Sequence, residues 1–193
     1  MQKPRGAYAK GIAKREAILG KALEAFSKSG YLATSMREIA AASGLTQAGL
    51  LHHFPNKEAL LLAIIEQREG RQQAFSRSLA HLSLAERTLR MIEVNEQNRA
   101  ETMVFSVLAA EAADPSHPAH DYMLNRYRLV REEWARSFSA SRGAIVVSSK
   151  DLNRAALLTA IWDGLQLQAL LDDSFEMREP FMYALEQLGD YKP

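Results

Sequence analysis

Residues 45–57 bring together hydroxyl, amide, imidazole and ammonium side chains at helical spacing. On a short helix that Thr46 can cap, the residues expected to project outward are Thr46, Gln47, Ala48, Gly49 and His52. A helix of this diameter fits the major groove of DNA, where a glutamine amide can form two hydrogen bonds with an adenine edge. The segment therefore predicts contacts with DNA bases.

A second short helix is predicted immediately before this segment. Ser35 and Glu38 have the spacing of a capping box, in which the two residues satisfy free backbone N–H groups at a helix start. The spacing of Ala40, Gly44 and Leu50 suits a helix-turn-helix, since a small residue allows close approach, glycine takes the turn and leucine packs behind. A plain helical hairpin in a bundle has the same spacing, so both interpretations stay open on spacing alone.

Charge is distributed unevenly, although the net charge of the 193 residues is only +1. Residues 1–57 carry a net charge of +6, and residues 58–193 carry −5. This asymmetry suggests a polyanion-binding head on an acidic body, whereas a solvated basic face would give the same counts. The first basic residues could follow a minor groove or form a mobile tail; they are Lys3, Arg5, Lys10 and Lys14.

Other chemistries find little support in the sequence. The absence of cysteine excludes disulfides, thiol catalysis and thiolate metal sites, and fits a reducing compartment. Motifs for a nucleophile elbow, a P-loop, a dinucleotide fold and a zinc protease are missing, so we expect no enzyme and no cofactor. Pro118 separates His117 from His120, which favours a surface loop over a metal site.

No membrane or secretory segment is predicted. The basic N-terminus is not followed by an apolar stretch, and no run approaches the roughly 18 apolar residues needed to cross a bilayer. These features predict a cytoplasmic protein with no membrane partner.

Apolar periodicity predicts an all-α fold of about nine helices, because the single strand-like run near residue 146 cannot form a sheet. The expected organisation is an N-terminal three-helix bundle with a helix-turn-helix in residues 1–57, then a larger ligand-binding and dimerisation domain in residues 58–193, linked through a helix over 57–82. The other predicted helices cover 12–29, 46–54, 84–98, 103–113, 119–140, 151–171 and 177–188, with a further short one between Ser35 and Ser43.

The helix predicted over residues 151–171 is apolar on two sides, so both sides must be covered. One stripe consists of the large residues Leu158, Ile161, Trp162 and Leu165. The other consists of the small residues Ala156, Ala160 and Gly164. The last helix, 177–188, adds Phe181, Ala184, Leu185 and Leu188. We expect a homodimer through these two helices, with packing inside one protomer as the alternative.

A ligand pocket in the body is a weaker expectation. Its candidate lining residues are Phe105, Leu108, Tyr122, Trp134, Trp162 and Gln166. Aromatic residues at helical spacing also form ordinary cores, so this alternative stays open. Glu111 lies in an apolar run and is expected to face a cavity or to pair with Arg126.

The sequence resembles the TetR family of transcription regulators. The resemblance covers residues 12–64 in matched blocks, which include Thr34–Ala40, Gly44–Thr46 and His53–Leu60. A weaker likeness at Ala160–Gln168 is similar to the family's dimerisation helix.

This resemblance implies roles for individual residues. Gln47 and His52 would contact base edges, with Ala48 beside them, and Thr46 and Arg37 would contact a base or the backbone. Phosphate contacts are implied for Thr34, Ser35 and Lys57, and His53 would be structural or face the backbone. Leu51 departs from the family, which usually has Tyr there, so His52 or His53 would have to replace its hydroxyl.

Together these features predict a homodimeric regulator that binds double-stranded DNA at an inverted-repeat operator. The expected role is that of a repressor released by a small apolar effector. The alternatives are a dimeric helical scaffold that does not read DNA sequence and a small-molecule enzyme within the body.

Overall fold

A computed structural model describes the backbone of residues 5–189 and most of its side chains. Over this range the chain is all-helical, as predicted, with nine helices. They are α1 (Arg5–Ala33), α2 (Met36–Ala42), α3 (Gln47–His53), α4 (Lys57–Ser78), α5 (Leu84–Gln97), α6 (Arg99–Glu111), α7 (His120–Ser141), α8 (Ser149–Leu171) and α9 (Arg178–Gly189). Lys3 lies outside the described residues, and the side chain of Arg5 is not described.

The predicted helix starts are confirmed where a side chain caps the backbone. Ser35 and Ser83 each begin a helix with a complete capping box. Thr46 accepts the N–H of Gly49 at 3.0 Å, and Asn56 accepts that of Ala59 at 2.7 Å. These side chains satisfy backbone donors that the first turn of a helix leaves free.

Several boundaries differ from the prediction. Helix α6 begins at Arg99 rather than 103, and α8 begins after an N-cap at Ser148 that the sequence analysis missed. Ser148 donates to Asp151, which is fully buried and also lies 2.6 Å from Arg142 Nη1. The Arg142 guanidinium and the hydrogen bonds from Ser148 hold the pKa of Asp151 well below its usual range.

The described residues form two compact units. One contains α1 to α4 and residues 103–111, and the other contains residues 79–102 and those from 112 onward. Helix α6 therefore contributes residues to both units. The sequence-based division of the chain after Lys57, into a DNA-binding domain and a ligand-binding and dimerisation domain, stays a prediction.

The second unit is built on a core between α7, α8 and α9. Phe181 lies at its centre, with ring centroids 5.1 Å from Trp162 and 6.0 Å from Trp134. Leu158 and Leu185 are also fully buried there. Phe181 and Leu185 were offered above as dimer-surface residues; this was wrong, because the protomer's own core already covers them.

The loop between α6 and α7 also differs from expectation. His117 is buried, and its Nδ1 accepts the N–H of Ala119 at 3.1 Å. His120 Nδ1 lies 2.8 Å from the carbonyl oxygen of Ala112. Both imidazoles therefore organise the loop backbone, and the side chain of His117 is not on the surface. Among the helices of residues 5–189, none combines the length and the apolar composition that a membrane-spanning helix requires.

Candidate nucleic-acid interface

Helices α2 and α3 form the predicted helix-turn-helix. Gly44 lies in the turn with φ of +64°, a left-handed conformation that glycine adopts without steric cost. Ala40 and Leu50 are buried on the facing sides of the two helices, and the N–H of Leu45 donates to the carbonyl of Ala40 at 2.9 Å. The spacing-based prediction for these residues is confirmed.

Burial divides α3 into an inner and an outer side. Leu50 is fully buried, and Gly49 and His53 are half-buried. The outer side is solvent-exposed and consists of Gln47, Ala48, Leu51 and His52, which we name the α3 face. Thr46, just before it, is exposed as well. The predicted base-contacting residues therefore share one accessible surface.

The residues on the approach to α2 are placed less uniformly. Arg37 is exposed, and Ser35 is exposed but donates its hydroxyl proton to Glu38 at 2.8 Å. Thr34 is only 4% exposed, and its hydroxyl donates to the carbonyl of Gly30 at 2.7 Å. The phosphate contacts of Thr34 and Ser35 stay predictions, and either hydroxyl would have to exchange its present acceptor.

Lys57 occupies a position that the sequence did not reveal. Its ammonium donates to the carbonyls of Tyr31 at 2.8 Å, Leu32 at 3.1 Å and Thr34 at 3.0 Å. It also lies 4.4 Å from the centroid of the Tyr31 ring. Because an ammonium has three protons, a phosphate contact by Lys57 would require the loss of one of these bonds.

Two further cations of the head also bind helix C-termini. Arg15 donates to the carbonyl of His53 at 2.9 Å and stacks 4.1 Å above the Phe54 ring, at the end of α3. Lys14 donates to the carbonyl of Ser43 at 3.3 Å, at the end of α2. Cations at these ends interact favourably with the negative end of the helix dipole, and they donate to carbonyls that lack a partner within the helix. Part of the positive charge of residues 1–57 therefore stabilises the fold of this segment.

The glutamate in the first turn of α2 is also bonded within the protein. Glu38 accepts both the N–H and the O–H of Ser35, and these bonds lower the pKa of its carboxyl. Its charge is therefore retained at neutral pH, where it stabilises the first turn of α2.

The candidate ligand-binding residues lie in both units. In the first, Phe105 and Leu108 are buried, with the guanidinium of Arg68 3.8 Å from the Phe105 ring. In the second, Tyr122, Trp134, Trp162 and Gln166 are half-buried. Their role toward a ligand stays a prediction.

A polar cluster in the second unit includes one residue that sequence reasoning missed. Gln166 Oε1 accepts from Trp162 Nε1 at 3.2 Å and from Asn95 Nδ2 at 2.8 Å. Asn95 lies 71 residues from Gln166 in sequence, so no local pattern could have indicated the contact.

Comparison with known sequences finds a similarity in the N-terminal third of the chain. The model for bacterial regulatory proteins of the tetR family matches residues 18–64. The HTH-type transcriptional regulator RutR of Escherichia coli (strain K12) is 44% identical over 55 residues, which are 28% of this chain and 26% of RutR. The chain thus matches about a quarter of the length of this curated relative.

Comparison with solved structures extends over nearly the whole chain. GusR of Salmonella enterica is 25% identical, with 91% of this chain and 95% of that one covered and a TM-score of 0.67. A protein from Saccharomonospora viridis in complex with choline is 23% identical, with 89% of this chain and 95% of that one covered and a TM-score of 0.73. The second likeness shows the fold alone.

Proposed function

We propose that this chain, whose residues 18–64 match the model for bacterial regulatory proteins of the tetR family, is a homodimeric repressor of transcription in the cytoplasm. The observation that carries the proposal is the α3 face, which is exposed while Leu50 anchors the other side of the same helix. RutR is named as a transcriptional regulator, which supports a non-catalytic role.

In this proposal the α3 face enters a major groove. The Gln47 amide is placed to form two hydrogen bonds with adenine, and the Ala48 methyl suits contact with a thymine methyl. His52 contacts a neighbouring base edge, while Thr46 and Arg37 contact the backbone. A backbone contact by Arg37 adds affinity for any duplex, because phosphate neutralisation does not depend on sequence.

A homodimer is supported by the outer side of α8. Small residues Ala156, Ala160 and Gly164 are exposed there, at intervals of four residues. Exposed leucines flank them: Leu157 at 53%, Leu167 at 51% and Leu171 at 78%. Among the described residues of α9, the exposed large apolar side chain is that of Tyr183, which is 66% exposed. We name these residues the α8–α9 face, and burial of this face in a two-fold pair would remove apolar surface from water.

Two-fold symmetry determines the form of the operator. Two α3 faces related by a dyad would contact an inverted repeat, with half-sites about 34 Å or a multiple apart. An effector bound in the helical body would act by favouring a conformer in which both half-sites cannot be contacted together. A coupling of about 1–3 kcal/mol would weaken operator binding between about fivefold and about a hundredfold.

The nature of the effector follows from the candidate lining residues. In the second unit they are the rings of Tyr122, Trp134 and Trp162, with the Gln166 amide as a polar group, and this composition suits a small, largely apolar molecule. The Saccharomonospora viridis protein of similar fold holds choline, which supports a small-molecule site in a body of this kind.

The test is a selection of bound duplexes from a random pool by the natural chain at about 150 mM salt. We expect enrichment of an inverted repeat that binds at least about a thousandfold more tightly than its scrambled sequence. Equal affinity for the enriched and scrambled duplexes would contradict the proposal. That result would favour the scaffold alternative, for which exposed Leu51, in place of a hydroxyl donor, is the supporting observation.

A further inference from the structure

The end of α1 contains a sharp break at Gly30. Its φ of 76° and ψ of 167° are non-helical, and the chain resumes a helical turn before α2 begins at Met36. We name residues 30–34 the Gly30 turn. Because a break interrupts the ladder of helical hydrogen bonds, the N–H groups just after it need other acceptors.

Glu111, the last residue of α6, supplies both acceptors. Its Oε2 accepts the N–H of Tyr31 and its Oε1 accepts that of Leu32, each at 3.3 Å. This is neither the cavity-facing nor the ion-paired role expected from the sequence. A Cβ on Gly30 would lie 2.8 Å from Glu111 Oε1, so the absence of a side chain allows the carboxylate to approach.

The same turn is bound from its other end by Lys57. Its ammonium donates to the carbonyls of Tyr31 and Leu32, the same two residues whose N–H groups bind Glu111. One helical turn therefore lies between a carboxylate of α6 and an ammonium of α4. This arrangement stabilises the turn dipole at both ends.

The position of this turn matters for α2. Thr34 is buried within it and Ser35 caps α2 directly afterwards, so no residue lies between the turn and the N-cap of α2. A shift of the turn would move the start of α2, and α3 packs on α2 through Ala40 and Leu50. Glu111 is thus connected to the α3 face through packed backbone.

We propose that Glu111 is a positioning residue for DNA reading: its carboxylate, by binding the N–H groups of Tyr31 and Leu32, holds the helix-turn-helix in the orientation that discriminates between sequences. The inference rests on the proposed function and names a residue of α6 that controls the head without touching DNA. It predicts that loss of the carboxylate reduces sequence discrimination more than it reduces affinity for DNA in general.

The test compares Glu111→Gln with Glu96→Gln, a matched change at an exposed glutamate of α5. Glutamine has nearly the same shape but replaces one acceptor oxygen with a donor, so one of the two backbone bonds is lost. The first readout is the amide spectrum and hydrogen exchange of the free protein. We expect faster exchange at Tyr31 and Leu32, and shifted amide resonances from Gln47 to His53, in Glu111→Gln only.

The second readout is the ratio of affinities for the selected duplex and its scrambled sequence, at a temperature where circular dichroism shows both variants folded. We expect this ratio to fall about tenfold in Glu111→Gln and to be unchanged in Glu96→Gln. Glu111→Asp keeps the charge but is too short to bind both N–H groups, and it should give an intermediate ratio. If Glu111→Gln does not fold, Glu111→Asp carries the same comparison.

An unchanged ratio in a folded Glu111 variant would overturn the proposal, since a purely stabilising role leaves discrimination intact. Unchanged exchange at Tyr31 and Leu32 would overturn it as well, because the hydrogen bonds would then be absent in solution. If the natural chain itself enriches no sequence, the proposed function fails. The positioning role is then decided by the α3 amide resonances, which must shift in Glu111→Gln.

Discussion

Lys57 and Arg37 carry the same charge within the head but face different surroundings. The Lys57 ammonium is bonded to three carbonyls, whereas the Arg37 side chain is exposed on α2. From the sequence, Lys57 was expected to contact a phosphate, and Arg37 was expected to contact a base or the backbone. The geometry assigns the backbone-capping role to Lys57 and leaves the guanidinium of Arg37 accessible to DNA.

Lys57→Met and Arg37→Ala should therefore differ in their salt dependence. Arg37→Ala removes one phosphate contact, so the slope of log affinity against log salt should decrease by about 0.9. Lys57→Met should leave that slope unchanged and lower the free energy of unfolding by about 2 kcal/mol, because charge-assisted hydrogen bonds are lost. Anisotropy titrations from about 50 to 200 mM salt measure the slope, and a reduced slope in Lys57→Met would show that Lys57 does contact phosphate.

Gln47→Ala tests base contact at the residue scale. Removal of an amide that binds adenine should lower discrimination at one position of each half-site by about 1–3 kcal/mol, while leaving the salt slope intact. Competition titrations with single-position duplex variants measure this. Gln97→Ala, at an exposed position on α5, is the control, and equal effects of the two substitutions would exclude Gln47 as a base contact.

At the scale of elements, local rules predicted most helix starts. Ser35, Thr46 and Ser83 cap helices because their partners lie three residues away, which the sequence displays directly. The cations that cap helix ends could not be found in this way. Arg15 and Lys14 bind carbonyls 38 and 29 residues distant, contacts that depend on how helices pack. Apolar periodicity also could not show which face of α9 packs inward, because this helix has apolar residues on two sides and only one side packs into the core.

The capping box at Ser83 provides a test of local stability. Ser83→Ala removes the acceptor for the Glu86 N–H, and we expect a loss of about 1 kcal/mol, or about 2–4 °C in melting temperature. Ser76→Ala, at an exposed position within α4, should cause no loss. Calorimetry of both variants measures the difference, and equal melting temperatures would mean that the cap contributes nothing.

The same box gives a pH dependence of defined sign. Hydrogen bonds from Ser83 lower the pKa of Glu86 below its usual value of 4.5. A depressed pKa means that the stabilisation is present above about pH 4.5 and is lost as the pH falls through the folded-state value. The destabilisation caused by Glu86→Gln should therefore shrink between about pH 5 and pH 3. Denaturant titrations across this range measure the free energy of unfolding of the natural chain and of Glu86→Gln. A difference between the two that does not change with pH would contradict the lowered pKa of Glu86.

For the molecule as a whole, the two sides of α8 have separate uses. The side with Leu158 packs into the protomer's core, and the side with Ala156, Ala160 and Gly164 is exposed. The sequence predicted that both sides need cover, but not which residues of α9 accompany the exposed side. Only the structure shows that Phe181 packs inward and that Tyr183 of the same helix faces outward.

Ala160→Arg tests the dimer proposal directly. A long charged side chain on the small-residue stripe would prevent close approach of two α8 helices, and we expect a mass near 21.5 kDa in place of twice that value. Leu124→Arg, at a 62% exposed position of α7, should remain dimeric. Sedimentation equilibrium measures both, and a natural chain that sediments as a single protomer at micromolar concentration would contradict the α8–α9 face as an interface.

The central claim, that a symmetric pair of α3 faces occupies two major grooves, is tested most directly by methylation protection of guanine N7 on the selected duplex. The account predicts two protected clusters related by a dyad, with centres about 10–10.5 base pairs or a multiple apart. It also predicts that Gln47→Ala alters the protection pattern within both clusters equally. Protection that is uniform along the duplex, or confined to one cluster, would contradict it.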